Sequence, residues 1–474
     1  MLVPLALWGL FACTGSNEVP AKAFWIPLAV SCAVAICLKR RFKVHHLDNR
    51  GAMMLCALAW LVISAIGAIP FWLGLKMSYL DAYFETVSGF TTTGITLISG
   101  LDEMPKSILF WRGFAQWLGG LGILTFFLSV LYLGGSSAHR LFGAESHKIF
   151  SRRPAPSLLK SLRIIWLIYA TFTLVTAIAL AIEGLGAFDA VMHAMTSVST
   201  GGFSSHDASI AYFSEAGFAH AIAIEYTIIV AMVLGGISFF VHFRWFRGGF
   251  RALWDSFEMK LFWLILFGAT VVVMTGHIQK GIEGGFSGYH DAFRHSLFQV
   301  VSLATTTGFG TKDISKVGYY SAAAAQVFLL LMIVGGCVGS TSGGIKILRI
   351  GVLFKMMHRQ LQRLMNGSRA VHPVVVDGEM VDAEELRRIS ALFFGWMALL
   401  AVGSLITTLV TDIGAFESMS GMFSALGNIG PCHIPPGDFP TLHPVVKVVY
   451  IFGMLAGRLE ILPVLLLFKR ASWR

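Results

Sequence analysis

Charge is scarce in this sequence. Only 13% of its 474 residues are Asp, Glu, Lys or Arg, against 55% hydrophobic residues and a mean hydropathy of +0.71. A water-soluble chain of this length has no core large enough to hide so much apolar surface. Cysteine patterns are missing as well. Cys13, Cys32, Cys37, Cys56 and Cys337 sit in apolar segments and Cys432 in a loop, with no C-x-x-C pair, so neither a metal centre nor a disulfide framework is expected. The chain has no H-E-x-x-H, no G-x-S-x-G and no paired carboxylates on one face, and it has no Walker A or G-x-G-x-x-G loop. Enzyme chemistry and an organic cofactor in this chain are therefore not expected, and nucleotide sensing would need another chain.

What is present is a series of long apolar runs, at 52–75, 164–182, 222–242, 261–275, 328–338, 391–410 and 445–468. Several approach the ~20 residues a helix needs to cross a ~30 Å hydrocarbon core. Two more runs, 1–13 and 24–38, read as a pair of membrane helices, because the first has neither the basic leader nor the clear cleavage site of a signal peptide. The net charge of +10 is unevenly spread: 26 of the 36 Lys and Arg lie in 39–50, 140–163, 244–260, 346–388 and 469–474. Alternate loops are basic, which places these loops and the C-terminus in the cytoplasm. The excess is a topology signal, and nucleic acid is not expected as a partner.

A fourfold internal repeat organises the rest. The segments DAYFETVSGFTTTGI (81–95), DAVMHAMTSVSTGGF (189–203), HSLFQVVSLATTTGF (295–309) and ESMSGMFSALGNIGP (417–431) align on Gly94, Gly202, Gly308 and Gly430. Six residues before each glycine stands a hydroxyl (Ser88, Thr196, Ser302, Ser424), and two before stands Thr92, Thr200, Thr306 or Asn428. Thirteen before stand Asp81, Asp189 and Glu417 as N-cap or first-turn residues, with His295 the exception. Each segment lies between apolar runs, and each following run carries a central glycine: Gly119–Gly120, Gly235–Gly236, Gly335–Gly336 or Gly457. The fold expected is all-α and integral to the membrane: four pseudo-symmetric helix–re-entrant pore loop–helix repeats around a central pore, preceded by the N-terminal helix pair. The divisions are 1–50, 51–140, 141–250, 251–365 and 366–474.

Four short helices ending at membrane depth leave their last carbonyls unpaired and converge partial negative charge on one axis. Irregular backbone at that depth is tolerated where it lines a cavity, and loop carbonyls can replace the hydration shell of a cation. The candidate filter residues are Thr92, Thr93 and Gly94; Thr200, Gly201 and Gly202; Thr306, Thr307 and Gly308; and Asn428, Ile429 and Gly430. A second candidate region lies below. Residues 335–344 read GGCVGSTSGG, comprising Gly335, Gly336, Gly339, Ser340, Thr341, Ser342, Gly343 and Gly344 around Cys337 and Val338. Each interior glycine costs a helix ~0.5–1 kcal/mol, so the helix either breaks into a flexible loop or kinks at a packed crossing. Lys346 ends the stretch, either as part of it or as the cytoplasmic boundary. Arg458, inside an apolar run, needs compensation for ~2.5–3.5 kcal/mol, from carbonyls of 335–344 or from Glu460. His193 and Gln299 are expected to pack behind the filter. Asp207, Asp313 and Asp438 are outward loop charges, open to cation attraction or plain solvation.

The four loops, GGCVGSTSGGIKILRI (335–350), FGMLAGRLEI (452–461) and the extra N-terminal pair together resemble the Trk/Ktr/HKT superfamily of potassium transporters, and within it the TrkH-type membrane subunits. The resemblance covers nearly the whole chain. It implies a K⁺ filter at the four glycine loops, facing outside, with K⁺ as the transported ion. It makes 335–344 a gating loop and Arg458 an electrostatic barrier in the pore. It implies a homodimer in the bacterial inner membrane, and a nucleotide-binding regulatory subunit of TrkA type docking on the basic cytoplasmic face; the basic segment 355–388 fits such a docking surface and equally an anionic-lipid contact. Glycine at all four filter positions matches K⁺-selective members. The function expected is gated, channel-like K⁺ uptake; the alternative is an H⁺- or Na⁺-coupled symporter working by alternating access.

Overall fold

The computed structural model describes residues 1–13, 18–41, 49–133, 158–281, 285–315, 318–366 and 372–473. The basic loop expected at 140–163 lies mostly outside these residues, as do parts of those at 39–50 and 346–388.

Four units follow one another. Each has an outer helix, a short re-entrant helix, an extended loop and an inner helix. The outer helices are Asn49–Gly67 continued by Ile69–Leu75, then Leu158–Ile182, Phe257–Lys280 and Ala383–Val410. The last three are each long and apolar enough to span a bilayer. Their outward faces carry exposed Leu167, Leu174 and Ile178, or Leu264, Phe267 and Val271, or Phe394, Leu405 and Leu409. Large apolar side chains at helical spacing on the outside belong in lipid, where a soluble bundle would place polar groups. The re-entrant helices are Tyr79–Phe90, Ala187–Val198, Gly285–Ala304 and Ala415–Gly427. Asp81, Asp189 and Glu417 lie in the first turns of theirs. The third helix starts ten residues ahead of His295, so His295 sits mid-helix, which is why it broke the pattern. The N-terminal pair, Leu2–Cys13 and Lys22–Arg41, flanks the first unit, and Phe11 packs its ring on Phe188 of the second re-entrant helix.

The inner helices depart most from expectation. The first, Lys106–Leu133, is continuous. The run at 222–242 is not one helix: Ala221–Gly236 ends and Phe239–Phe246 leaves at 102°, after a Gly-Gly pair that has little helix preference. In the third unit Ala322–Ile333 stops, residues 334–346 form a loop, and Ile347–Asn366 resumes the helix. Val334 and Gly335 pair in parallel with Ile345 and Lys346, closing the neck of that loop. The run at 445–468 is broken too, into Pro444–Arg458 and Leu462–Phe468. Pro463 has no N–H to continue the helix, and Glu460 and Ile461 take φ of 65° and 53° to turn the chain. Such backbone is costly for a β-branched residue. The described residues also include a small antiparallel hairpin, Val375–Val376 with Glu379–Met380. Its Asp377-Gly378 turn has φ of 50° and 86°, the type I′ geometry that an Asp-Gly pair between extended residues signals.

Candidate ion pathway

All four re-entrant helices end in the same way. The N–H groups of Thr93, Gly201, Thr307 and Ile429 donate to the carbonyls of Ser88, Thr196, Ser302 and Ser424, five residues back, at 2.8–3.1 Å. Those of Thr92, Thr200, Thr306 and Asn428 donate three residues back at 3.0–3.4 Å. This is a Schellman closure. Its left-handed residue, usually glycine, is here Thr92, Thr200, Thr306 or Asn428, at φ of 51–57°. Two residues on, Gly94, Gly202, Gly308 and Gly430 take φ of 78–104°. The residue between is not left-handed, so the sign of φ alternates along each loop.

The loops then close on one another. A Cβ on Gly94 would lie 2.5 Å from the Gly201 carbonyl oxygen; on Gly202, 2.0 Å from that of Thr307; on Gly308, 1.8 Å from that of Ile429; and on Gly430, 2.9 Å from that of Thr93. Each glycine abuts the residue before the glycine of the next loop, and the fourth loop returns to the first. Four segments spaced more than a hundred residues apart thus form one cyclic ring. The inner-helix glycines seat it. Cβ atoms on Gly119, Gly235 and Gly457 would lie 2.1, 2.7 and 2.0 Å from the carbonyl oxygens of Phe90, Val198 and Leu426, at the re-entrant helix ends.

Behind the ring lies a buried ion pair that the sequence reading missed. Arg112 Nε donates to Glu85 Oε1 at 2.9 Å, and its other nitrogens reach the Ser204 carbonyl and Thr96 Oγ1, both at 3.1 Å. Glu85 also accepts from the Leu97 N–H and from Thr96 Oγ1. One guanidinium therefore ties the exit of the first loop to that of the second. The signal was Glu85 nine residues before Gly94, the register of His193 before Gly202 and Gln299 before Gly308. His193 and Gln299 are fully buried behind the ring, as expected, with His193 bonded to Ser204 Oγ at 3.0 Å. Removing one partner of a buried pair strands the other charge, at ~3–5 kcal/mol. Arg112→Ala is accordingly expected to lower stability by that amount in a thermal melt of the purified protein. The double variant Glu85→Leu/Arg112→Leu is expected to lose less than Arg112→Ala.

Two of the three outward loop charges, Asp207 and Asp313, hold loop backbone, while Asp438 is exposed. Asp207 accepts from the N–H groups of Gly100 and Leu101 at 3.1 and 3.0 Å, and Asp313 from Ser315. His206, above the second loop, bonds Asp102 at 2.5 Å and stacks on Tyr212. Burial disfavours its charged form, but the carboxylates of Asp189 and Asp102 outweigh that and raise its pKa above the usual histidine value.

Beneath the ring sits the 335–344 loop, packed into the gap left by the bent second inner helix. Freed helix carbonyls find partners there: Cys337 N–H donates to Gly236 at 2.9 Å, and Thr341 donates to Gly235 through N–H (3.2 Å) and Oγ1 (3.0 Å). In return Phe239 N–H donates to Gly339 at 3.0 Å. Ser342 Oγ donates to the Thr305 carbonyl and Gly343 N–H to Thr306 Oγ1, both at 2.7 Å. A Cβ on Gly343 would lie 2.6 Å from that of Asn428, and one on Gly335 2.0 Å from the Gly343 oxygen. Gly336 accepts from Ile347 N–H, Ser340 Oγ from Ser342 N–H, and Gly339 and Gly344 take positive φ. The loop thus touches the second, third and fourth glycine loops directly, the second through Thr200 and Thr341.

Two cations hold it. Arg458 is 3% exposed and donates to the Thr341 carbonyl at 2.5 Å and to the Gly119 carbonyl at 3.3 Å. Of its two candidate partners, the loop carbonyls are the ones found. Glu460 is turned away by the positive φ at its own position and pairs with Arg349 at 2.8 Å. Lys346 is buried and donates to the Ser342 carbonyl at 2.5 Å, so it belongs to the loop and not to the membrane boundary. Glu258 accepts from Val338 N–H at 2.7 Å. A cavity opens on the other side of the loop, lined by Ser340, Ser342, Gly343, Lys346, Arg458 and Glu460 among others.

Comparison with known proteins fits this geometry. The family model described as "TrkH: Cation transport protein" matches residues 20–473. The Trk system potassium uptake protein TrkH of Escherichia coli K12 is 31% identical over 479 residues, covering 100% of this chain and 96% of that protein. Its counterpart in Halomonas elongata is 32% identical over 463 residues, covering 96% and 92%. The crystal structure of the potassium transporter TrkH from Vibrio parahaemolyticus matches with a TM-score of 0.83 at 28% identity, over 100% of this chain and 98% of that one.

Proposed function

The chain belongs to the TrkH family of cation transport proteins, and on that premise we propose that it takes up K⁺ across the bacterial cytoplasmic membrane through a gated, channel-like pore. The observation that carries the reading is the closed ring of four glycine loops, with φ alternating in sign along each. Alternation turns successive carbonyls to one side of the backbone, and four such loops around one axis form a cage of oxygens for a dehydrated cation. The filter faces outside, in keeping with basic alternate loops. The 335–344 loop is the gate: it lies immediately under three of the four loops. Arg458 both pins that loop and places a positive charge in the path. The protein works as a homodimer with a cytoplasmic nucleotide-binding subunit of TrkA type. Helix Ile347–Asn366, which follows the gate directly, supports this with exposed Phe354, Met357 and Leu361 among Lys355, Arg359 and Arg363.

The test is radiolabelled Rb⁺ uptake into proteoliposomes with competing K⁺, Na⁺ and Li⁺. K⁺ is expected to compete best. Equal competition by Na⁺ would sink the selectivity claim, and strict dependence of uptake on an H⁺ or Na⁺ gradient would replace the channel with a symporter.

A further inference from the structure

The four filter loops are not held by the same means. In the first and third, the threonine before the filter glycine bonds the threonine two residues earlier: Thr93 with Thr91 at 2.7 Å, Thr307 with Thr305 at 2.8 Å, hydroxyl to hydroxyl. In the fourth, Ile429 has no hydroxyl, and Asn428 reaches across to Thr93 Oγ1 at 2.9 Å and to the Met454 carbonyl at 2.8 Å. The second loop has Gly201 at this position, directly before Gly202. Two successive glycines with no side-chain tie of their own are the most pliant backbone in the ring.

Gln116, on the first inner helix, lies against this loop and is fully buried. Its Nε2 donates to the Gly201 carbonyl at 2.5 Å, and its Oε1 accepts from the Phe203 N–H at 3.0 Å. The Phe203 N–H can only donate, which fixes the amide's orientation. The two bonds straddle Gly202. A Cβ on Gly201 would lie 2.4 Å from both Cδ and Oε1 of Gln116, so Gln116 fills the space that a side chain at 201 would take. Gly201 is not at positive φ, and its backbone would accept a threonine if Gln116 were absent.

We propose that Gln116 is a specificity-determining positioning residue. It supplies from another unit the restraint that Thr93 and Thr307 supply within their own loops, and it keeps the Gly201–Gly202 carbonyls from collapsing onto a smaller ion. The inference rests on the K⁺-selective reading of the pore. Whether carbonyls discriminate by cavity size or by field strength, the loops must hold their positions.

The experiment is Rb⁺ uptake by the full-length protein in proteoliposomes, competed by K⁺ and by Na⁺, for Gln116→Ala, Gly201→Thr and the double variant Gln116→Gly/Gly201→Thr, in which glycine also removes the Gln116 Cβ that would lie 2.9 Å from a Cβ at 201. Gln116→Ala is expected to let Na⁺ compete about tenfold better relative to K⁺, as the loss of one or two buried hydrogen bonds allows. Gly201→Thr alone is expected to impair uptake, through the clash with Gln116. The double variant is expected to recover the wild-type ranking, because the threonine then takes the vacated space. A folded Gln116→Ala protein with unchanged ranking overturns the proposal. So does a double variant no better than Gly201→Thr, a comparison that holds even if Gln116→Ala alone does not fold. A wild type that does not prefer K⁺ would fail the underlying reading instead, before any variant is compared.

Discussion

Arg458→Ala is expected to raise K⁺ flux on the order of tenfold. Two effects point the same way. A buried arginine at membrane depth represents ~2.5–3.5 kcal/mol of unfavourable charge placement, tolerated here because its nitrogens reach the Thr341 and Gly119 carbonyls. A cation passing beneath the ring would meet that charge, and alanine removes it. Alanine also removes the bond to the carbonyl of Thr341, the residue that joins the 335–344 loop to the second inner helix and to Thr200 of the second glycine loop. The loop would then keep its bonds to Gly235, Thr305 and Thr306 but lose its link to the fourth inner helix. Arg458→Lys separates the two effects: it retains the charge but cannot reach both carbonyls, and an intermediate flux is expected. The measurement is Rb⁺ uptake per unit of folded protein, judged by gel filtration. A folded Arg458→Ala protein with unchanged or lower flux would remove the arginine from the barrier.

Gly308→Ala is expected to abolish K⁺-selective uptake. At φ of +88° an L-residue pays roughly 1–2 kcal/mol in backbone strain. The larger effect is steric: the new Cβ would lie 1.8 Å from the Ile429 carbonyl oxygen, in backbone that has no room to retreat. Because the ring is cyclic, displacing the fourth loop moves the contact it makes with the first. Gly100→Ala is the control. It has φ of +75° and open space around the added carbon, so it bears the same strain without the clash, and uptake close to wild type is expected. If Gly308→Ala transports and selects as the wild type does, the ring is not the filter.

Much of the site was legible because it repeats. One T-x-G is a turn; four in register, each followed by an apolar run with a central glycine, are a symmetric feature. The breaks in the inner helices were only partly legible. The glycines of 335–344 announced one, and Pro463 could have announced another. The 102° bend after Gly236 had a weaker signal, since Gly119–Gly120 occupies the same register in a helix that stays continuous. The difference lies in the partners. The third unit's loop offers the N–H groups of Cys337 and Thr341 to the carbonyls of Gly236 and Gly235, whereas at the glycines of the first inner helix the donor is the Arg458 side chain, 3.3 Å from the Gly119 carbonyl.

The sequence by itself determined the membrane class, the four units, the glycines of the ring and the place where one inner helix gives way. Hydropathy, periodicity and backbone preference are properties of contiguous residues, so they can be read along the chain. Only the tertiary structure decided that Arg458 would turn to Thr341 and not to Glu460, that Arg112 would pair with Glu85 and reach the Ser204 carbonyl of the second loop, and that Gln116 would stand in for the side chain Gly201 lacks. Arg458–Thr341 and Gln116–Gly201 join residues 117 and 85 positions apart. Buried polar groups must find partners wherever the fold brings them, and in a ring closed by four separate segments those partners are set by the packing of neighbours that are distant in sequence.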